Sequence, residues 1–182
     1  MDIILATKSP RRKEILKNAG YTYKIAPSNY DEKISNLKYD DEIVKNCAYQ
    51  KALDVSKRED GIIVSADTVV VFDNTILGKP KDKKDAFNML KKLSGHTHFV
   101  ATAVCVISKN KVISDIEKTN VTFRKLSDEE IISYIDKLNP LDKAGSYGIQ
   151  DEGFDFATSI EGNLDNVIGF PIQTFKKMIE KI

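Results

Sequence analysis

Between Gly61 and Phe72 the chain sets six β-branched apolar residues, Ile62, Ile63, Val64, Val69, Val70 and Val71, around a single carboxylate, Asp67. A run of that composition is a strand covered on both faces, so the chain must build a sheet with helices packed against it. An ionised aspartate inside such a strand costs on the order of several kcal/mol unless it meets a cation or donors, as much as the stability margin of a small domain. Either the strand delivers Asp67 to the edge of a site where a cation waits, or it bulges there and backbone amides satisfy the carboxylate. The first reading predicts a functional carboxylate next to the hydroxyl of Thr68.

With 182 residues the chain fits one domain, 1–182, and can bury a substantial core. Its charges nearly cancel, 28 Lys and Arg against 27 Asp and Glu, so no overall field recruits a polyanion and nucleic acid is not expected as a partner. No stretch approaches the roughly 18 apolar residues of a membrane span, so no membrane association is expected. The opening Met1–Ala6 lacks a basic leader and reads as the first strand of a cytoplasmic protein. Cys47 falls in a helical segment and Cys105 in an apolar strand, which predicts buried free thiols. His96 and His98 are spaced to share a strand face, but no carboxylate or cysteine cluster accompanies them to make a zinc site.

Strand and helix signals alternate. Residues 2–7 predict a strand, and Ser9-Pro10 opens a helix to about Asn18, with Gly20 past its end. Tyr21 to Ala26 predicts a short strand leading into a polar loop around Asp31 and Glu32. A longer helix begins at Tyr39 or Asp40 and carries Ile43, Val44, Cys47, Ala48 and Leu53 at near-helical spacing, with Lys51 in its second half. After the central strand, Asp73-Asn74 turns the chain into Thr75–Leu77, Gly78-Lys79-Pro80 breaks the ladder, and a helix from Asp82 or Asp85 stops at Gly95. Thr97–Ile107 and Lys111–Arg124 predict an antiparallel pair joined at Lys109-Asn110. Ser127 and Glu130 have capping-box spacing at the head of a helix to about Leu138, and Pro171–Ile182 reads as a last helix. From Lys143 to Gly169 five glycines are interleaved with polar and aromatic residues, the composition of binding loops. This order implies an α/β or α+β sheet with helices on its faces.

Arg11 and Arg12 stand at the second and third positions of the first helix, where cations oppose the helix dipole. Either both are solvated or an anion sits there; a phosphate would find the turn amides, the hydroxyls of Thr7 and Ser9, and guanidinium forks. Lys79, between a glycine and a proline, is held in a rigid turn that can aim its ammonium at a phosphate. Lys51 is a further cation, and each lysine alone is equally well an ordinary solvated one. The segment Ala144–Gln150 offers an amide at Gln150, hydroxyls at Ser146 and Tyr147, and bare backbone, groups that can read a base. Neither a P-loop nor a dinucleotide fingerprint occurs, and no local signature of covalent catalysis is present.

The motifs Leu5-Ala6-Thr7-Lys8-Ser9-Pro10-Arg11-Arg12, Ser65-Ala66-Asp67-Thr68-Val69-Val70, Gly78-Lys79-Pro80, Leu93-Ser94-Gly95, Asp142-Lys143-Ala144-Gly145-Ser146-Tyr147-Gly148-Ile149-Gln150 and Gly169-Phe170-Pro171 follow one another in that order. Together they resemble the Maf family of nucleoside triphosphate pyrophosphatases over essentially the whole chain. The resemblance implies an inosine triphosphatase-like α/β fold: a long twisted mixed β-sheet flanked by helices, in two lobes with a central cleft. It also implies hydrolysis of a nucleoside triphosphate to the monophosphate and pyrophosphate with a divalent metal cation, Mg²⁺ or Mn²⁺, in a protein that is often a homodimer. Carried over by position, it makes Asp67 the proton acceptor and Arg11, Thr68 and Gln150 the residues that distinguish subgroups, here looking like the dTTP/UTP subgroup. Arg12, Lys51 and Lys79 would bind the triphosphate.

An aspartate with the ordinary pKa of about 3.9 is a feeble base at neutral pH, so Asp67 is expected beside the metal. Glu32 is the first candidate for a second acidic group there, and is equally well a solvated loop residue. Two alternatives stay open: the same chemistry on another base, such as 7-methyl-GTP or a modified pyrimidine, and a non-enzymatic nucleotide sensor that regulates cell division.

Overall fold

The computed structural model describes residues 2–109 and 111–182. In chain order they form β1 (Ile3–Leu5), α1 (Pro10–Asn18), β2 (Tyr23–Ile25), α2 (Asp41–Ser56), β3 (Ile62–Phe72), β4 (Thr75–Leu77), α3 (Lys83–Leu93), β5 (Thr97–Ser108), β6 (Lys111–Phe123), α4 (Asp128–Leu138), β7 (Ala157–Glu161), α5 (Leu164–Ile168) and α6 (Ile172–Ile179). Short 3-10 turns lie at Pro140–Asp142 and Ala144–Ser146. Asn110, in the expected turn, and Met1, in the expected first strand, lie outside the described residues.

The apolar run becomes the spine of a mixed sheet ordered β2-β1-β3-β5-β6-β7, with β4 also on β3. β1 runs parallel to β2 and β3, and the other pairings are antiparallel. Nine consecutive residues of β3, Ile63 to Val71, pair with Ile107 to Phe99 of β5, so the strand is regular through Asp67 and the bulge alternative is excluded. Asp73 and Asn74 both take positive φ, 47° and 58°, as a tight hairpin between β3 and β4 requires.

The two faces of β3 are covered differently. On the odd-numbered face Ile63, Val69 and Val71 pack with Ala101, Ala103 and Cys105 under Val44, Ala48, Ala52 and Val55 of α2. On the even-numbered face there are two separate cores. Val64 and Ala66 join Val104, Val106, Leu16 and Phe175 under α1 and α6, while Val70 and Val100 join Leu90, Leu93, Ile131 and Tyr134 under α3 and α4. Thr68 and its partner Thr102 fall between those two cores, and this polar seam divides the molecule into two lobes.

Helix starts follow local chemistry. The Asp40 carboxylate accepts the Glu42 amide at 2.9 Å, the Asp82 carboxylate accepts the Asp85 amide at 2.7 Å, and Ser127 with Glu130 completes the expected capping box. Other expectations need correction. The first strand stops at Leu5 because the Thr7 amide turns back to the Leu5 carbonyl. His96 precedes β5, so it and His98 do not share a strand. The last helix is Ile172–Ile179, shorter than the expected Pro171–Ile182. The segment 143–169, read as loops alone, contains the edge strand β7 and the one-turn helix α5.

Candidate active site

β1 occupies the edge of β3 at Ile62–Val64, and β4 takes the same edge at Val70–Phe72. Among the described residues the stretch between them, Ser65–Val69, therefore has a strand neighbour only on the β5 side. A cleft of about 680 Å³ opens at this gap, a size suited to a small-molecule ligand.

Asp67 leaves β3 on the α2 face and is only 2% exposed. Its Oδ1 accepts a hydrogen bond from Lys51 Nζ at 2.5 Å, so a side-chain ammonium rather than backbone amides satisfies it. The same ammonium pairs with Glu32. Ala48 and Ala52 on either side of Lys51 let α2 lie close to the sheet, and the Ser65 hydroxyl donates to the Ala48 carbonyl at 2.5 Å. The second carboxylate oxygen of Asp67, Oδ2, is buried without a hydrogen-bond partner among the described residues.

One ammonium between two carboxylates separates their acidities. Burial raises the Asp67 pKa above the usual carboxylate value, outweighing Lys51, and the charge of Glu32 raises it further. At Glu32 burial also acts upward, but Lys51, helped by Lys79 and Arg12, outweighs it and holds that carboxyl below its ordinary value. Glu32 stays ionised while Asp67 is the readier proton acceptor.

Thr68 leaves β3 on the opposite face, at the seam. Arg12 Nη2 donates to Thr68 Oγ1 at 3.0 Å and Arg12 Nε to the Gly169 carbonyl at 2.8 Å. Thr68 and Thr102 share a hydroxyl hydrogen bond at 3.0 Å, and Thr102 donates to the Asn166 carbonyl at 2.9 Å. The amide of Asn166 donates in turn to the Val100 carbonyl and to Thr119 Oγ1. Thus α1, the sheet and α5 meet through one polar chain, and Arg12, held by it through Nε and Nη2, also lines the cleft.

Around the rim, Ser9 takes the N-cap position of α1, but its side chain makes no capping bond, and no acidic residue stands in the first turn. Lys8, Ser9, Pro10 and Arg11 all line the cleft, so the positive end of α1 faces it. Arg11 Nη1 lies 3.8 Å from Asp142 Oδ2 across the mouth. Lys79 and Gln150 are exposed and also line the cleft. Nine of the residues singled out from the sequence, Ser9, Arg11, Arg12, Glu32, Lys51, Asp67, Thr68, Lys79 and Gln150, therefore surround one space.

Two expected base-reading groups face elsewhere. The Ser146 hydroxyl is buried against Met89 Sδ at 3.2 Å, and the Tyr147 hydroxyl meets His98 Nε2 at 2.7 Å behind the cleft wall. Thr102 and Asn166, which underpin the seam, carried no sequence signal, since threonine in a strand and asparagine near a glycine are commonplace. Among the described residues no three His, Cys, Asp or Glu side chains converge as a metal cluster. Asp67 and Glu32 nevertheless offer hard oxygen donors, one with an unpartnered buried oxygen, of the kind that suits a small divalent cation.

The mixed sheet, two lobes and central cleft define an inosine triphosphatase-like α/β fold. The nucleoside-triphosphatase / dITP/XTP pyrophosphatase of Mycobacterium abscessus matches 100% of this chain and 94% of its own with a TM-score of 0.50 at 11% identity. The Ham1 protein of Staphylococcus aureus matches 100% and 99% with a TM-score of 0.50 at 10% identity. Within that fold the chain belongs to the Maf-like protein family, whose family model matches residues 2–182. Relatives named dTTP/UTP pyrophosphatase include the protein of Thermosipho africanus, 49% identical over 94% of this chain and 88% of its own, and that of Clostridium beijerinckii, 46% identical over 100% of both.

Proposed function

We propose that this protein is a nucleoside triphosphate pyrophosphatase that converts dTTP and UTP to the monophosphate and pyrophosphate. The observation that carries the reading is the Asp67–Lys51–Glu32 set at a cleft whose rim carries Arg11, Arg12 and Lys79. The relatives' names supply the pyrimidine substrates.

In this reading the triphosphate lies against the N-terminus of α1, with Ser9, Arg11, Arg12 and Lys79 offsetting its charge. Water attacks the α-phosphorus in line. Asp67 takes the water's proton, the bond from the α-phosphorus to the bridging oxygen breaks, and pyrophosphate leaves with that oxygen. Lys51 holds Asp67 in place and opposes the effect of burial by favouring its ionised form. Asp67 and Glu32 would hold a divalent cation, Mg²⁺ or Mn²⁺, which would supply charge neutralisation on the phosphates and a more acidic water. Thr68, through Arg12, and Gln150 act in pyrimidine selection. The proposal extends to a cytoplasmic homodimer acting on free nucleotides, on the strength of the resemblance and the balanced charge.

Asp67→Asn tests the reading directly. It keeps volume but cannot accept the proton, so pyrophosphate release from dTTP and UTP falls by about 100-fold or more while circular dichroism and the melting temperature stay close to wild type. A folded variant with retained turnover would overturn it. A wild-type panel of dTTP, UTP, CTP, GTP and 7-methyl-GTP with Mg²⁺ or Mn²⁺ tests the substrate class, and release from 7-methyl-GTP alone would move the protein to another specificity.

A further inference from the structure

The turn that carries Gln150 is secured by Tyr134, which lies outside the cleft lining, and by Asp151, which lies on it. Tyr134, on α4 and 1% exposed, donates its hydroxyl hydrogen to Asp151 Oδ2 at 2.6 Å. The Gly148 amide reaches both partners, at 3.0 Å from Tyr134 Oη and 3.1 Å from Asp151 Oδ2. Three groups thus close a ring at the root of the turn, and a Cβ on Gly148 would fall 2.6 Å from both Asp151 carboxylate oxygens. A side chain there would push the Asp151 carboxylate out of the ring. The ammonium of Lys143 lies 3.7 Å from the same Asp151 oxygen and adds to the closure.

The N-terminal side of the turn is fixed as well. Tyr147 is tied to His98 of β5, and its ring packs edge-on against Phe123 at 4.8 Å. Gly145 docks on β3, where its own Cβ would meet Val70 at 2.7 Å. The backbone from 145 to 148 is consequently part of the rigid body formed by the sheet and α4, whereas the Gln150 side chain stays exposed at the cleft. Tyr134 itself is outside the cleft lining. Burial, reinforced by Asp151, raises its phenol pKa, so the hydroxyl remains a donor.

We propose that Tyr134 and Asp151 are positioning residues for base discrimination, setting the backbone of the Gly148–Gln150 turn from which a nucleobase is read. The inference rests on the cleft being a nucleoside triphosphate site. A base that gains hydrogen bonds from the turn depends on the turn being in place before binding, because ordering it on binding subtracts from affinity. A base that gains little from the turn, and a polyphosphate with no base, do not depend on it.

Tyr134→Phe is the decisive variant, since the ring keeps its edge contacts with Phe154 at 5.1 Å and Phe156 at 5.0 Å and only the hydroxyl is lost. Calorimetric binding and pyrophosphate release are measured for dTTP, UTP, CTP and GTP, with inorganic tripolyphosphate as a baseless competitor. For the preferred base, KM and Kd rise about 5- to 20-fold with kcat changed less than twofold. The preference over the poorest base narrows by the same factor, and the tripolyphosphate inhibition constant is unchanged. Equal losses for every nucleotide and for tripolyphosphate, or an unaltered preference, would overturn the proposal. Should Tyr134→Phe fail to fold, Asp151→Asn is used instead, and because Asp151 also lines the cleft, an unchanged tripolyphosphate inhibition constant is required there to separate positioning of the turn from a direct contact. If wild type binds nucleotides with base preference but releases no pyrophosphate, the enzymatic reading fails while the binding ratios still decide this one. Wild-type binding with no base preference would sink it outright.

Discussion

At the scale of single residues the site rests on where each hydrogen bond of Arg12 goes. Burial draws the Arg12 guanidinium below its usual pKa, opposed by Asp67 and Glu32, and its Nε and Nη2 are fixed by the Gly169 carbonyl and Thr68. Arg12 is therefore a fork aimed by the seam. Thr68→Val is nearly isosteric but removes the oxygen that serves both Arg12 and Thr102. We expect an unfolding free energy lower by about 1–3 kcal/mol, because Arg12 Nη2 and the buried Thr102 hydroxyl each lose a hydrogen-bond partner. A double-mutant cycle with Arg12→Lys then gives a coupling of about 1 kcal/mol in kcat/KM; strict additivity would show that the two residues act separately. Asp67 was legible in the sequence because a charge in a β-branched run is a local contradiction. The role of Arg12 in holding Thr68 was not, since their contact joins positions 56 residues apart, a separation that local patterns cannot report.

At the scale of elements, β3 and the 3-10 turn at Ala144–Ser146 form the contact that joins the Gly148–Gln150 turn to the sheet. Gly145 has φ of +66° and its added Cβ would lie 2.7–3.0 Å from three Val70 side-chain atoms, so both backbone and packing demand glycine. Gly145→Ala is expected to lower the unfolding free energy by about 2–3 kcal/mol, through strain in a left-handed conformation and overpacking against β3. Urea denaturation measures it, and a loss under about 0.5 kcal/mol, the scale of an ordinary surface change, would mean that the turn is not docked as described. Elements whose signals are local were readable: β3 from its β-branched run, the Asp73-Asn74 hairpin, and α4 from Ser127 and Glu130. β7 was not, because four of its five residues are exposed and it shows no alternation, only pairing to β6. The five-residue α5 lies in a glycine-rich stretch whose composition reads as loop, and Asn166 inside it is completely buried for tertiary reasons alone. The same limit explains Ser146 and Tyr147: their chemistry was visible, but the direction of a hydroxyl is set by what packs behind the turn.

At the scale of the whole molecule, two cores on one face of a continuous sheet must stay in register for the cleft to keep its shape, and His98 is built into one of them. Its ring is 3% exposed and packs edge-on against Phe123 and Tyr147 at 4.9 and 5.5 Å. Burial lowers its pKa from 6.5 to about 4, so the folded protein holds it neutral. Below pH 6.5 the unfolded chain takes up a proton that the folded chain refuses until about pH 4, so this residue makes stability fall as the solution is acidified through that window. At 1.36 kcal/mol per unit the loss is roughly 2 kcal/mol by pH 5 and roughly 3 kcal/mol by pH 4. Carboxylates titrate in the same range, and a comparison with His98→Gln separates them, because they are common to both proteins while the amide can still bond the Tyr147 hydroxyl and cannot titrate. Stability measured by urea at pH 7 and pH 5 should then fall by about 2 kcal/mol more in wild type than in the variant. Parallel pH dependence would mean that His98 accepts its proton in the folded state as readily as in water, and that the core joining β5 to the Gly148–Gln150 turn is wet rather than dry.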